Sequence, residues 1–246
     1  MTGQDTSSDG VDVPQVLTAG EMVRISEMFV GALGHGLRNA LSAISTSAGL
    51  LSRRAESEEI AKPVNRILIS SDRMARMIDQ LLDFTRIHLG RGIPIEREEV
   101  DLSQICRVVI DELEAAQGCS IRFEHAGDLV GFGDRDRLSQ LLSTLGGNAC
   151  QHRRAATPVL VRADGTQTSM VMLEVWNEGV IPKNFLPVIF DPLQVGTGKR
   201  REGISGLGLG LHISQQIVVA HGGTIRVESC EEKGTRFIVG LPRHSR

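Results

Sequence analysis

The chain is 246 residues long, 41% hydrophobic and 23% charged, with a formal charge of −3. That length suffices for one large domain or two modest ones, and the composition is ordinary for a soluble globular protein. The charge and the lack of a long Lys/Arg block exclude a general nucleic-acid binder, and no apolar run approaches the ~18 residues of a membrane span.

In chain order, residues 1 to about 18 are small, polar and aperiodic, which predicts a mobile tail. MTGQDTSSDG lacks the basic and apolar regions of a signal peptide, so a cytoplasmic protein or cytoplasmic fragment is expected. From residue 19 to 90 the pattern is helical. Met22, Ile25, Phe29, Leu33, Leu37, Leu41, Ile44, Ala48 and Leu51 form a stripe of helical period. RRAESEE suits a turn, and Pro63 suits the first turn of a second helix. That helix alternates in steps of four and three through Ile60, Val64, Ile67, Ser71, Met74, Ile78, Leu81 and Thr85. Two such helices form a hairpin that cannot cover its own apolar side, and pairing with a second copy into a four-helix bundle is the expected remedy.

LGRGIP breaks the helical pattern, and residues 91–100 read as a linker. Residues 101–246 then alternate. DLSQICRVVIDELEAA reads as a helix, SIRFEH as a strand and DRDRLSQLLSTLGGNACQH as a helix. PVLVRAD and SMVMLEVWN read as strands, LGLHISQQIVVAHGG as a helix, and GTIRVESCEEKGTRFIVGL as a closing hairpin. The fold class expected is a helical hairpin followed by an α/β sandwich, a mixed sheet with helices on one face. The cysteines, Cys106, Cys119, Cys150 and Cys230, form no CxxC pair, so neither a disulfide frame nor a zinc site is expected, and a reduced compartment is the simplest setting.

Within the first helix, GHGLRNALSAI sets His35 between two glycines, each costing about 1 kcal/mol in a helix interior. At about 100° per residue His35 points away from the apolar stripe, and Arg38 and Asn39 flank the same exposed side. Taken alone, this fits a solvated surface histidine better than a functional one. The second half adds LGGNACQH, WNEGVIP and GLGLGL in fixed order. GLGLGL opens a helix, whose backbone N–H groups and dipole favour phosphate. No apolar strand precedes it, which rules out a dinucleotide-binding turn, and GTGKR places Arg200 where a Walker loop needs Ser or Thr.

With these segments the chain resembles the sensor histidine kinases, which join a dimerising phosphoacceptor hairpin to a Bergerat-type (GHKL) ATP-binding domain. It is similar to those with a VxNxG-type G1 box. GHGLRNALSAI looks like the H box, LSTLGGNACQH the N box, VWNEGVIP the G1 box, FLPVIFDPL the F box and GLGLGL the G2 box. The resemblance implies His35 as phosphoacceptor, with Arg38 grouped beside it and Asn39 where the family orients water to dephosphorylate a partner. It implies ATP and Mg²⁺ as cofactors, with Asn148 as the Mg²⁺ ligand and Gln151 and His152 beside it. Asn177 stands where most members have an aspartate that accepts from the adenine amino group, and Gly179 and Thr235 join that end of the pocket. Lys199 belongs to a lid between Asp191 and Ser205, and Gly206, Leu207, Gly208, Leu209 and Gly210 would meet phosphate. Implied partners are a response-regulator receiver domain, a second copy of the chain through the hairpin, and a separate sensor protein as one route for the signal. Neither nucleic acid nor membrane insertion is implied.

The chain also departs from the family pattern. The acidic residue after the phosphoacceptor is Gly36, the usual proline is Ala40, the first N-box asparagine is Thr144 and its lysine is Gln151. The G1 box is one residue short, and the F box ends in Leu193. Losing general-base help costs about 10²–10⁴-fold in rate. A kinase passing phosphate from ATP to a response regulator is the first reading. A degenerate relative acting as phosphatase or scaffold is the alternative, and the His35 hairpin speaks against a gyrase-like ATPase.

Overall fold

The first two helices make up an antiparallel hairpin. The computed structural model describes residues 19–53, 57–154, 157–192 and 207–244, with side chains from residue 34 onward. The expectations for residues 1–18 and for most of the 191–205 lid lie outside the described residues. Helix α1 spans Ala19–Arg53 and α2 spans Glu58–His88. Glu58 and Glu59 in the first turn of α2, and Arg86 and His88 in its last, complement the helix dipole. Helix α2 starts five residues before Pro63, so that proline lies in the helix interior and not in the first turn. Its missing N–H leaves the carbonyl of Glu59 open, and Glu59 is exposed, where water can bond it.

The two glycines beside His35 are not equivalent. A Cβ on Gly34 would stand 2.6 Å from Leu82 Cδ1, so this glycine lets α2 approach, whereas a Cβ on Gly36 meets nothing within 4 Å. Leu41, Ala48, Val64, Ser71 and Leu82 are buried between the helices. Leu37, Ile44 and Leu51 on α1, and Ile60, Ile67, Met74 and Leu81 on α2, are exposed at heptad spacing in the single chain.

A five-stranded mixed sheet follows, in the order β2 (Ile121–Gly127), β4 (Val159–Gly165), β5 (Met170–Asn177), β7 (Gly234–Pro242), β6 (Thr224–Cys230). Strands β2 and β4 are parallel, and the remaining pairs are antiparallel. Burial alternates along β4 and β5, because one face meets helices and the other meets water. The covering helices are α3 (Leu102–Gln117), α4 (Arg135–His152) and α5 (Gly210–Ala220). Asp101 caps α3 by accepting from Ser103 N at 2.8 Å, and Asp134 caps α4 by accepting from Arg137 N at 3.0 Å. Leu141, Leu142 and Leu145 of α4 and Ile213 and Ile217 of α5 pack on Val159, Val161, Val171, Val175 and Val239 of the sheet.

Two short strands, β1 (Glu98–Asp101) and β3 (Val130–Gly133), pair antiparallel as a separate ribbon. Strand β1 begins inside the stretch read as linker. Four residues are too few to display a period, and VGFG alternates its apolar residues with glycines. Buried Arg243 fastens this end of the domain, donating to the carbonyls of Val130 (2.7 Å), Gln167 (3.0 Å), Asp128 and Gly165.

The expectation of no disulfide is overturned: Cys119 and Cys150 are bonded, with Cα atoms 5.9 Å apart. Gly118, left-handed at φ 59°, ends α3 and turns the chain so that Cys119 meets the last turn of α4. Their separation of 31 residues hides the pair from any motif search, and the inference of a reduced compartment loses its basis. Cys106 remains a free, buried thiol, pushed up to about 12 by desolvation and then by Asp101.

Candidate functional site

His35, Arg38 and Asn39 are all exposed on α1. Arg38 is not a free cation: its guanidinium holds Asp79 of α2 through Nη2 at 2.7 Å and Nε at 2.8 Å. The pair is about half exposed, so it stabilises by no more than about 1 kcal/mol, but it fixes where the charge sits beside His35.

In the α/β domain, Asn177 and Thr235 face each other across the β5–β7 ladder. Thr235 donates its hydroxyl to the Gly179 carbonyl at 2.7 Å and lies 2.8 Å from Ser229 Oγ, which accepts from Ile181 N at 2.9 Å. These bonds pin the turn that follows β5. Gly179 is required there, since a Cβ would lie 1.9 Å from the His152 carbonyl oxygen and 2.6 Å from Asn177 Nδ2. Asn177 is 3% exposed, and its Nδ2 is buried without a hydrogen-bond partner. A buried amide nitrogen left unpaired is a costly arrangement unless a ligand completes it.

Asn148 lies half-buried on α4, and Gln151 and His152 are exposed at the end of that helix. Helix α5 begins at Gly210 after Gly208, which adopts φ 71°, and among the described residues no side chain caps its first turn, which leaves those N–H groups as donors. Leu207, Gly208 and Gly210 are half-buried, whereas Leu209 is a core residue at 1% exposure. A Cβ on Gly210 would stand 3.1 Å from Thr144 Cγ2, so the GLGLGL turn rests directly on the N-box helix. Phe190 of the F box packs edge-on against Phe237, ring centroids 6.4 Å apart, and its carbonyl lies 3.0 Å from His212 Nδ1. Lys199 and Gly206 lie outside the described residues.

One turn of α2 joins the two halves. Asp79 meets Arg38 and Leu82 meets Gly34, on either side of His35. From the same turn, Gln80 Nε2 comes to 3.8 Å of a Cβ on Gly210, and Asp83 pairs bidentately with Arg137 of α4, at 2.7 and 3.1 Å. Gln140 completes the cluster, accepting from Arg137 at 2.8 Å and donating to Asp83 at 3.2 Å. Phe84 stands edge-on to His212 at 6.1 Å. The histidine-bearing part of α1 and the glycine turn that opens α5 therefore dock on one turn of α2. Sequence reading missed Gln80, Asp83, Arg137 and Gln140. The one available signal was Asp83, an acid set among Leu81, Leu82 and Phe84.

Residues 26–90 match the model of the His Kinase A (phospho-acceptor) domain, and residues 133–245 match that of the histidine kinase-, DNA gyrase B- and HSP90-like ATPases. The chain belongs to the histidine kinase family. It is 33% identical over 226 residues to a bacteriophytochrome of Pseudomonas aeruginosa, covering 91% of this chain and 30% of the relative. It is 29% identical to the sensor histidine kinase AtsR of Burkholderia thailandensis, covering 90% of this chain and 38% of the relative. Among solved structures, full-length ShkA in complex with AMPPNP shares the fold with a TM-score of 0.68 and 23% identity, over 89% of this chain and 46% of that one. The chain thus spans between about a third and a half of the length of these three proteins. Among the described residues no helix is long and apolar enough to cross a membrane.

Proposed function

We propose that the chain is a histidine kinase core that transfers the γ-phosphoryl group of ATP to His35 and passes it to an aspartate of a response-regulator receiver domain in the cytoplasm. The observation that carries this reading is the shared turn of α2. It brings the exposed His35 and the uncapped start of α5 to one level of the hairpin.

The roles divide by chemistry. The first-turn N–H groups of α5 suit the anionic phosphates. Asn177 suits the purine edge, and its orphaned nitrogen is what such a ligand would complete. Asn148 offers a neutral amide oxygen, a hard donor that fits Mg²⁺. The described residues hold no cluster of three acidic, histidine or cysteine side chains, so the remaining ligands would come from phosphate and water. Mg²⁺, when bound, neutralises charge on the transferring group, and the protein supplies position. In the transfer, His35 nitrogen forms a bond to the γ-phosphorus as the bond to the β-bridging oxygen breaks, leaving ADP. A homodimer is supported by the exposed series Leu37, Ile44, Leu51 and Ile60, Ile67, Met74, Leu81.

Gly36 favours a second reading, a phosphatase or scaffold. No carboxylate follows His35, and Asp79 across the hairpin is held by Arg38. The test is incubation with labelled ATP and Mg²⁺, then addition of a receiver domain. Acid-labile label on wild type but not on His35→Ala, chased onto the receiver, is expected. Faster loss of phosphate from a pre-phosphorylated receiver, with no label on the chain, would favour the second reading.

A further inference from the structure

Asn177 carries a consequence for which nucleotide the site accepts. The inference rests on reading this pocket as a nucleotide site. Its Nδ2 is buried and unpartnered, one of only three such side-chain atoms among the described residues. The hydroxyls nearest in the fold are already engaged: Thr235 donates to the Gly179 carbonyl, and Ser229 accepts from Ile181 N while meeting Thr235. A Cβ on Gly179 would stand 2.6 Å from Nδ2 and 1.9 Å from the His152 carbonyl oxygen, so only glycine lets this turn pack against the amide. A buried donor beside the turn that follows β5 is therefore left with no acceptor of its own.

A carboxylate at this position only accepts, and so selects a 6-amino group on the base. An amide sets an acceptor and a donor side by side. Adenine presents the matching pair, the N6 amino donor and the N1 acceptor. Hypoxanthine presents the reverse pair, the O6 acceptor and the N1–H donor. A half-turn about the terminal torsion of Asn177 exchanges its two ends, and that torsion is broad and roughly two-fold. Because Nδ2 makes no bond to the protein, the half-turn breaks none there. In one orientation Oδ1 accepts from N6 and Nδ2 donates to N1. In the other Nδ2 donates to O6 and Oδ1 accepts from N1–H. We propose that Asn177 makes this a purine-general site, which takes 6-oxopurine nucleoside triphosphates as well as ATP.

Inosine triphosphate is the probe, because it differs from ATP only at position 6 and the proton on N1. Calorimetric titration of the full chain with Mg²⁺ and each nucleotide should give dissociation constants within about tenfold of each other. In Asn177→Asp, the ratio of the inosine to the adenosine constant should rise at least about tenfold, since a carboxylate facing O6 leaves two acceptors opposed. A wild-type ratio above tenfold, or a ratio unchanged by the substitution, overturns the proposal. Should the aspartate variant fail to fold, 1-deaza-ATP on the wild type decides. Lacking the N1 acceptor, it should bind about tenfold more weakly than ATP, and equal binding contradicts the direct Nδ2 contact. Binding of ATP alone sinks only this inference, whereas no binding of either nucleotide sinks the nucleotide-site reading with it.

Discussion

Arg137 of α4 and Asp83 of α2 form a bidentate ion pair that bridges the α/β domain and the hairpin, with Nη1–Oδ2 at 2.7 Å and Nη2–Oδ1 at 3.1 Å. Asp83 is 4% exposed and Gln140 shares both charges, so little water competes. Removing one member of a buried pair leaves an uncompensated charge and costs about 3–5 kcal/mol. Asp83→Ala should therefore lower stability by about 3 kcal/mol in urea unfolding of the whole chain. The double variant Asp83→Leu with Arg137→Met should recover most of that loss, because a pair replaced by apolar groups leaves no charge stranded. A single-variant loss under about 0.5 kcal/mol would show that the pair does not fasten the domains.

The glycines beside His35 give opposite signs. Gly36→Ala removes a helix-breaking residue where nothing stands within 4 Å, and should stabilise the hairpin by up to about 1 kcal/mol. Gly34→Ala drives a methyl into Leu82 and should destabilise by about 1–3 kcal/mol despite the better helix propensity. Thermal unfolding of the two variants side by side checks this. Gly36→Asp has the same free space and restores a carboxylate next to His35. Labelling of His35 by ATP should quicken by about 10²-fold or more in that variant, and an unchanged rate would remove general-base loss as the meaning of Gly36.

The Cys119–Cys150 bond closes a separation of 31 residues. In the chain-entropy treatment a loop of that size contributes about 4 kcal/mol. Reductant should therefore lower the melting temperature of the wild type, and should have no effect on the variant carrying Cys119→Ala with Cys150→Ala. Equal shifts in both would mean that the bond is not formed in solution.

His221 is buried beside the start of α4, accepting from Asp134 N through Nε2 at 3.0 Å while Nδ1 faces the Ile217 carbonyl at 2.8 Å. It is therefore held neutral, with the proton on Nδ1. Burial lowers its pKa from the ordinary 6.5, the Ile217 carbonyl opposes this, Arg97 adds to it, and Asp134 opposes it more weakly. The unfolded chain takes up a proton at a higher pH than the folded one. The contribution to stability is thus full above about pH 6.5 and is lost as pH falls toward the lowered value. The melting temperature should fall between pH 6.5 and 5, and His221→Leu should flatten that slope. An equal slope in the variant would assign the effect to other groups.

The long elements were legible because their patterns repeat. LSQLLSTL shows the period of α4, and the inward residues of β4 and β5 alternate with exposed ones. The ribbon of β1 and β3 was not legible, since its two four-residue strands gain order only by pairing with each other and with Arg243. Gly34 and Gly36 look alike in sequence, and only Leu82 across the hairpin tells them apart. Asn177 and Thr235 could be paired from the boxes, but Ser229, which links Thr235 to Ile181, carries no motif. The pairing of Asp83 with Arg137 was not legible, because a charge 54 positions away leaves no trace in local periodicity.

The central claim is that His35 comes within reach of a triphosphate held at the start of α5. Its most direct test is phosphorus NMR of the chain incubated with ATP and Mg²⁺. A phosphoramidate resonance that acid abolishes, alkali leaves intact and His35→Ala removes is expected. Its persistence in His35→Ala, or its absence from both wild type and Gly36→Asp while ATP is bound, would contradict that claim.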